Sequence, residues 1–127
     1  MAKNILITGA SGSVAHYLIG YIKRVEPGAQ ITGISRTNAV PLRDWKWDLT
    51  HPGTIGHLAQ YIFADQRFDI VFHLASIAKV GPSFTDPGRY LANNIQSTVN
   101  LYEAMRLSES KAVCVFASTS EVYGAVP

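Results

Sequence analysis

Short apolar runs alternate with longer amphipathic stretches along the chain. The apolar runs predict five strands, over residues 4–8, 30–35, 45–49, 69–74 and 112–117. The stretches whose apolar residues recur every three to four positions predict helices over 13–24, 54–64 and 87–108, with a loop over 75–85. Strands that alternate with helices are typical of βαβ units and therefore of a parallel sheet.

The helices carry start signals and apolar faces of their own. Asp86 as N-cap, with Pro87 at the first helical position, predicts where the long helix begins. Two apolar faces are expected to pack on the sheet, one in the first helix and one in the long helix. Their members are Val14, Leu18, Ile19 and Ile22, and then Tyr90, Leu91, Ile95, Val99, Tyr102 and Met105.

Right-handed crossovers arrange the five strands in the order 3-2-1-4-5, which is a Rossmann-type doubly wound α/β fold. Residues 1–127 fit one domain of this kind. The fifth strand would then be a long apolar edge, which folded proteins avoid. We therefore expect the chain to be the N-terminal, NAD(P)-binding part of a longer enzyme, truncated after strand five and without its substrate domain.

Composition and charge exclude several classes of protein. The net charge of +2 comes from dispersed Lys and Arg residues, so we expect no nucleic-acid partner. The four histidines lack metal-ligand spacing, so we expect no metal, and Cys114 in an apolar run is expected to be a buried strand residue. No segment approaches the ~20 apolar residues of a membrane span or resembles a signal peptide. A cytoplasmic protein without a membrane partner is the expectation.

A glycine-rich loop between the first strand and the first helix is the first candidate site. Gly9 permits a tight turn, and Gly12 lets a pyrophosphate approach the backbone at the helix N-terminus. Ser11, Ser13 and Val14 belong to the same stretch and are counted with it as cofactor-binding residues. The alternative interpretation is an ordinary strand-to-helix turn.

The end of the second strand bears on the choice of cofactor. NAD-binding proteins usually place an acidic residue there, but none occurs between Glu26 and Asp44. Arg36, helped by Ser35, suits a 2′-phosphate instead, which favours NADP over NAD. The alternative is that Arg36 is a solvated loop arginine.

Further motifs bring a family into view. Asp48-Leu49-Thr50 follows the third strand, His73-Leu74-Ala75 ends the fourth, and a helical segment runs from Asn94 to Leu101. Ala117-Ser118-Thr119-Ser120-Glu121-Val122-Tyr123-Gly124 ends the fifth strand. With the glycine loop, in this order, the motifs resemble the extended short-chain dehydrogenase/reductase family of nucleotide-sugar epimerases, dehydratases and reductases. Thr119-Ser120-Glu121 is most similar to the corresponding segment of the GDP-mannose 4,6-dehydratases.

The resemblance implies roles for individual residues. Asp48 would hydrogen-bond the adenine amino group, and Leu49 would line the same pocket, although Asp48 could simply cap a turn. Ala75 and Ser76 match the loop along the cofactor, where small residues leave room for it, and Leu74 before them is counted with the cofactor set. Asn94 matches the asparagine that steadies the active-site helix and completes the set. His73 is expected to pack at the strand end.

The catalytic residues implied by the resemblance are Thr119 and Glu121. The Thr119 hydroxyl would hydrogen-bond the sugar oxygen that is oxidised, and Glu121 would remove the C5 proton in a dehydratase. Burial in a closed site would raise the pKa of that carboxyl and so suit it to proton abstraction.

The family's Tyr-x-x-x-Lys pair is absent, because none of the six tyrosines has a lysine four residues later. The chain alone is therefore expected to be inactive. The parent enzyme is expected to be a nucleotide-sugar 4,6-dehydratase, and its full-length form a homo-oligomer. The alternatives are a C4 epimerase or 4-keto reductase, and a dinucleotide-sensing module without catalytic activity.

Overall fold

The computed structural model describes residues 2–37 and 43–125. Its five strands form one parallel sheet in the order β3-β2-β1-β4-β5, which confirms the predicted fold and strand order. The strands are β1 (Asn4–Thr8), β2 (Gln30–Ser35), β3 (Arg43–Lys46), β4 (Ile70–His73) and β5 (Val113–Phe116). The carboxyl ends of β1, β4 and β5 meet at one edge, where Thr8 pairs with His73 and His73 with Phe116.

Helices cover both faces of the sheet. One face packs against α1 (Ser13–Val25), whose buried residues Ala15, Ile19 and Ile22 meet Ile5 and Ile7 of β1. The other face packs against α2 (Thr54–His57), the π-helical segment Leu58–Phe63 that continues it, and α4 (Pro87–Leu107). Two smaller helices complete the described chain, α3 (Val80–Thr85) and a 3₁₀ helix, Ser120–Tyr123.

Several predicted element boundaries need correction. β3 ends at Lys46 instead of continuing to residue 49, because its partner β2 ends at Ser35, opposite Lys46. The predicted loop over 75–85 contains α3, whose Pro82 is tolerated because amides in a first helical turn have no helical partner. The predicted second helix is α-helical only to His57. In the π-helical turns that follow, residues four and five positions after Leu58 both reach the core.

The apolar faces predicted for the two longer helices were partly wrong. Val14 in α1 is exposed, because Ala15 occupies the buried position beside it. In α4, only Met105 of the predicted face is buried. Small and polar residues lie against the sheet together with Leu101, and they are Ser97, Asn100 and Ala104. Four members of the predicted face are 41–61% exposed: Leu91, Ile95, Val99 and Tyr102.

The fifth strand is an edge strand, as predicted, and its Cys114 is half-buried rather than buried. Burial raises the pKa of the Cys114 thiol, against the opposing effect of a hydrogen bond with Tyr102. Among the helices of the described residues, none combines the length and apolar character that crossing a bilayer requires.

Candidate functional site

The glycine loop turns sharply between β1 and α1. Gly9 has φ +70°, a left-handed conformation that favours glycine. A Cβ atom built on Gly9 would lie 2.9 Å from backbone atoms of Leu74 and Ala75. The amides of Gly9 and Ala10 both donate to the Ile34 carbonyl, at 2.8 and 3.2 Å. The loop is therefore held tightly against β4 and β2, and position 9 has no room for a side chain.

The N-terminus of α1 opens above this turn. Gly12 is its N-cap, with no side-chain cap and no acidic residue in the first turn. Ser13 and Val14 form that first turn, so their amides belong to the group that an α-helix leaves without internal partners. Such an end favours an anion through both its amide donors and the helix dipole.

A cavity of about 230 Å³ lies over the carboxyl edge of the sheet beside the glycine loop. It brings together residues from five separate stretches of the sequence. Nine of the predicted cofactor residues line it: Gly9, Ser11, Gly12, Arg36, Asp48, Leu49, Leu74, Ala75 and Ser76. The predicted residues Ser13, Val14 and Asn94 are not among its lining residues.

The Asp48 carboxylate caps a local turn at the wall of this cavity. Its Oδ1 accepts hydrogen bonds from the Thr50 amide at 2.9 Å and the Thr50 hydroxyl at 2.8 Å. The Thr50 amide is the main cause of the lowered pKa of Asp48, and Arg36 contributes in the same direction. The neighbouring Leu49 carbonyl accepts from Asn100 of α4 at 2.7 Å. The turn-capping interpretation of Asp48 is therefore correct, while the residue also lines the cavity.

Trp47 is a lining residue that the sequence analysis missed. Its indole N–H donates to Thr54 at 2.8 Å, and the His57 ring stacks on it with a centroid distance of 3.8 Å. Because Trp47 directly precedes Asp48, its position next to a predicted cofactor residue could have identified it as a lining residue. Other lining residues that were missed are Ile34, Thr50, Asn93 and Ser97.

A second cavity, of about 430 Å³, adjoins the first through Arg36, Trp47 and Asp48. Lys46 and His51 also line it, so three basic side chains surround one carboxylate. The Ser35 hydroxyl donates to the Thr37 carbonyl, and Ser35 also lines the first cavity beside Arg36. Lys46 is a second basic neighbour of Arg36 that the sequence did not single out.

A third cavity, of about 440 Å³, continues from the first along the end of β4, and Leu74, Ala75 and Ser76 line both. Thr119 lines its far side, just beyond β5. Glu121 is exposed, is not among the lining residues and donates its amide to the Thr119 hydroxyl at 3.4 Å. The structure thus places Thr119 at the groove and Glu121 outside its lining, and both side chains are exposed in this chain.

Asn94 lines the third cavity and binds the backbone of Ile77, which lines it as well. The Asn94 side chain accepts from the Ile77 amide at 2.9 Å and donates to the Ile77 carbonyl at 3.1 Å. These two bonds fasten the segment after β4 to α4. No group of three or more His, Cys, Asp or Glu side chains that could hold a metal occurs in the described parts of the chain.

Comparison with known proteins places this groove in context. The model of the NAD dependent epimerase/dehydratase family matches residues 5–127. The bifunctional UDP-glucose 4-epimerase and UDP-xylose 4-epimerase 3 of Arabidopsis thaliana is 31% identical over 96% of this chain and 38% of its own length. The GDP-6-deoxy-D-mannose reductase of Pseudomonas aeruginosa is 31% identical over 99% of this chain and 37% of its own. The chain thus spans less than two-fifths of these relatives.

Solved structures agree with the fold. MoeE5 in complex with UDP-glucose and NAD superposes with a TM-score of 0.78 and 29% identity, over 97% of this chain and 38% of that protein. The UDP-glucose 4-epimerase from Bifidobacterium longum, in complex with NAD+ and UDP, has a TM-score of 0.81 over 95% of this chain and 38% of its own. At 24% identity the latter likeness supports the fold alone. By its sequence from residue 5 to 127 and by its sheet, the chain belongs to the NAD dependent epimerase/dehydratase family.

Proposed function

We propose that this chain is the NAD(P)-binding part of a nucleotide-sugar C4 epimerase. The observation that carries the proposal is the continuous groove from the glycine loop to the Thr119 hydroxyl, joined by Leu74, Ala75 and Ser76. Relatives named as UDP-glucose 4-epimerases support C4 epimerisation more strongly than the dehydration expected from the sequence. UDP-glucose is the first substrate to test.

The residues of the groove fit a dinucleotide. The open N-terminus of α1 and the bare backbone at Gly9 and Gly12 suit a pyrophosphate, and the cavity walled by Asp48 and Leu49 suits an adenosine. A bound nicotinamide would supply the hydride acceptor and donor for the sugar C4. The cofactor residues identified from the sequence would then bind and orient it.

Thr119 supplies the sugar-facing chemistry in this proposal. Its backbone is extended and its side chain lies at the carboxyl edge of β5, where parallel α/β sheets present ligand-binding groups. The hydroxyl would donate to the oxygen on C4 and so orient it for hydride transfer. The proton itself needs an acid/base group, for which Tyr-x-x-x-Lys is the family pattern that these 127 residues lack.

A 4,6-dehydratase is the second candidate, because Glu121 follows Thr119 by two residues in the 3₁₀ helix. Thr119 lines the third cavity and Glu121 does not, so the groove supports the role of Thr119 more directly than that of Glu121. A non-catalytic sensing module remains the alternative of another class. The Thr119 hydroxyl in the groove counts against it.

The test uses a full-length enzyme that carries this chain. Thr119→Val should lower C4 epimerisation of UDP-glucose at least about 10²-fold with unchanged dinucleotide affinity, because it removes a positioned donor to the reacting oxygen. Glu121→Gln should stay within about threefold of wild type, since in our proposal no step uses that carboxylate. Ser120→Ala, on the same exposed turn, is the matched control.

Product analysis separates the candidates. Release of UDP-galactose supports the epimerase. Formation of a 4-keto-6-deoxy sugar, together with loss of C5 proton exchange in Glu121→Gln, would establish the dehydratase instead. Full activity in Thr119→Val, or no turnover in the wild type with dinucleotide bound, would overturn both catalytic proposals.

For the cofactor we propose NADP, with NAD as the alternative. Arg36 and Lys46 line the second cavity, which adjoins the cavity proposed for the adenosine. Charge-assisted hydrogen bonds from two such cations suit a 2′-phosphate. The compared structures contain NAD, which supports NAD as the alternative cofactor.

A further inference from the structure

A buried histidine lies between the glycine loop and α4, and the function proposed above does not use it. His73 is the last residue of β4 and only 2% exposed. Its Nδ1 lies 2.7 Å from the Thr8 hydroxyl of β1, and its Nε2 lies 2.9 Å from the Thr98 hydroxyl of α4. Both ring nitrogens are therefore engaged by hydroxyl groups from two different elements.

The neighbouring carbonyl fixes which nitrogen carries the proton. The Thr98 hydroxyl donates to the Asn94 carbonyl at 2.8 Å, and a carbonyl can only accept. Since a hydroxyl has one proton, Thr98 must accept from Nε2–H of His73. In the neutral ring Nδ1 is then an acceptor, and the Thr8 hydroxyl donates to it. The Thr8 oxygen also accepts the Ala75 amide at 3.2 Å.

These hydrogen bonds form a path that leaves the segment after β4 and returns to it. The path runs from the Ala75 amide through Thr8, His73 and Thr98 to Asn94. From there the Asn94 side chain reaches both backbone groups of Ile77. Ala75 and Ser76 lie between the two ends of this path, and together with Leu74 they line both the first and the third cavity. The histidine thus joins the two ends of the segment that forms the junction of the groove.

We propose that His73, as the neutral Nε2–H tautomer, is a positioning residue that holds residues 74–77 in the shape a dinucleotide requires at the junction of the two cavities. It acts through Thr8 and Thr98, although it also lines the third cavity at the end of β4. For its ligand the proposal rests on the dinucleotide-binding function above. The tautomer and the hydrogen-bond path are independent of that function.

Protonation would reverse one hydrogen bond of the path. A second ring proton at Nδ1 would face the Thr8 hydroxyl, which would have to give up its donor role and turn its own proton elsewhere. The groups that face the ring from β1, α4 and β5 are Thr8, Thr98 and Phe116, and all three are uncharged. Burial accordingly lowers the pKa of His73 from its ordinary value of 6.5.

The first experiment measures the tautomer and its consequence in the chain without ligand. Nitrogen-15 NMR of the histidine rings should show Nε2 protonated and Nδ1 bare in His73 at neutral pH. Thr98→Val should raise the amide exchange rates of Ala75 and Ile77 about tenfold, as expected for losing one buried hydrogen bond. Thr85→Val, which removes a similar hydroxyl-to-carbonyl bond in an exposed helix, should leave both rates unchanged.

The second experiment titrates dinucleotide against pH. Affinity should be constant above pH 6.5 and should fall as the pH passes below the lowered pKa of His73. The exposed His16 serves as control, since His16→Gln should leave the profile unchanged. His73→Asn places a side-chain amide near the Nδ1 site, and His73→Gln places one near the Nε2 site. Each variant should weaken binding about tenfold and remove the pH step.

The outcomes separate the two proposals. A proton on Nδ1, or unchanged Ala75 and Ile77 exchange in Thr98→Val, would overturn the positioning role whether or not a dinucleotide binds. Failure of the wild type to bind any dinucleotide at any pH, with the tautomer as expected, would overturn the dinucleotide-binding function instead. If His73→Asn and His73→Gln do not fold, the Thr98→Val measurements still decide the question.

Discussion

The guanidinium of Arg36 lies close enough to Asp48 to contribute to the lowered pKa of that carboxyl. Both residues line the second cavity together with Lys46 and His51. A 2′-phosphate placed there would compete with Asp48 for the guanidinium of Arg36. It would also be attracted by the ammonium group of Lys46. The balance of these charges decides how strongly the site prefers the phosphorylated cofactor.

Arg36→Ala should weaken NADP binding by about 1–3 kcal/mol and leave NAD binding almost unchanged, because only the charge-assisted contact to the 2′-phosphate is lost. Isothermal titration with both dinucleotides measures this. Lys23→Ala, which removes a cation from the last turn of α1 far from the groove, is the control. Equal losses for NADP and NAD would show that Arg36 does not contact the 2′-phosphate.

Gly9 precedes the N-terminus of α1 and Gly20 lies within α1, and replacing each by alanine should change the free energy of unfolding in opposite directions. Gly9→Ala should destabilise the fold by at least about 2 kcal/mol, from a left-handed φ together with a Cβ 2.9 Å from backbone atoms. Gly20→Ala should stabilise it by about 0.5–1 kcal/mol, since position 20 is an exposed helical site with open space. Urea unfolding measures both, and a tolerated Gly9→Ala would contradict the loop geometry.

At the scale of elements, α4 differs most from its prediction. The more hydrophobic of its two faces is exposed, and the face on the sheet carries hydrogen-bonding residues. Asn100 binds the Leu49 carbonyl and Thr98 binds His73, so the polar residues of α4 hold the turn after β3 and the end of β4. Hydrophobicity alone does not identify this face.

The assignment of the two faces is testable with one type of truncation. Leu101→Ala should cost about 2–5 kcal/mol of stability, because Leu101 is fully buried in the core. Ile95→Ala should change stability by no more than about 0.5 kcal/mol, because Ile95 is 59% exposed. Urea unfolding distinguishes the two, and a large loss in Ile95→Ala would restore the face predicted from the sequence.

At the scale of the whole molecule, the proposed cofactor groove can be tested for binding and for turnover separately, in the 127-residue chain by itself. NADP at about 100 times its Kd should raise the unfolding free energy of the 127-residue chain by about 2.7 kcal/mol. No hydride transfer to or from UDP-glucose should accompany binding, because Tyr-x-x-x-Lys is absent from these residues. Thermal melts measure the first effect and nicotinamide absorbance the second. Turnover by the isolated chain would show that another group replaces the tyrosine.

Local signals were sufficient where a few neighbouring residues decide the conformation. β1 and β2 occur at their predicted bounds, and the Asp86 cap accepts the Arg89 amide at 3.2 Å as a cap should. The glycine loop was predicted because Gly9 and Gly12 sit between a strand and a helix. Five further lining residues followed from the resemblance to a family whose motifs occur in the same order, and they are Asp48, Leu49, Leu74, Ala75 and Ser76.

The sequence by itself therefore determined the order of the elements, the parallel sheet and the residues at its carboxyl edge, because each depends on local periodicity and on the handedness of short connections. Only the tertiary structure decided which face of α4 is buried, how His73 connects Thr8 with Thr98, and that Glu121 is exposed. The two hydrogen bonds of His73, for example, join side chains 65 and 25 positions apart in the chain, and no local pattern encodes such contacts.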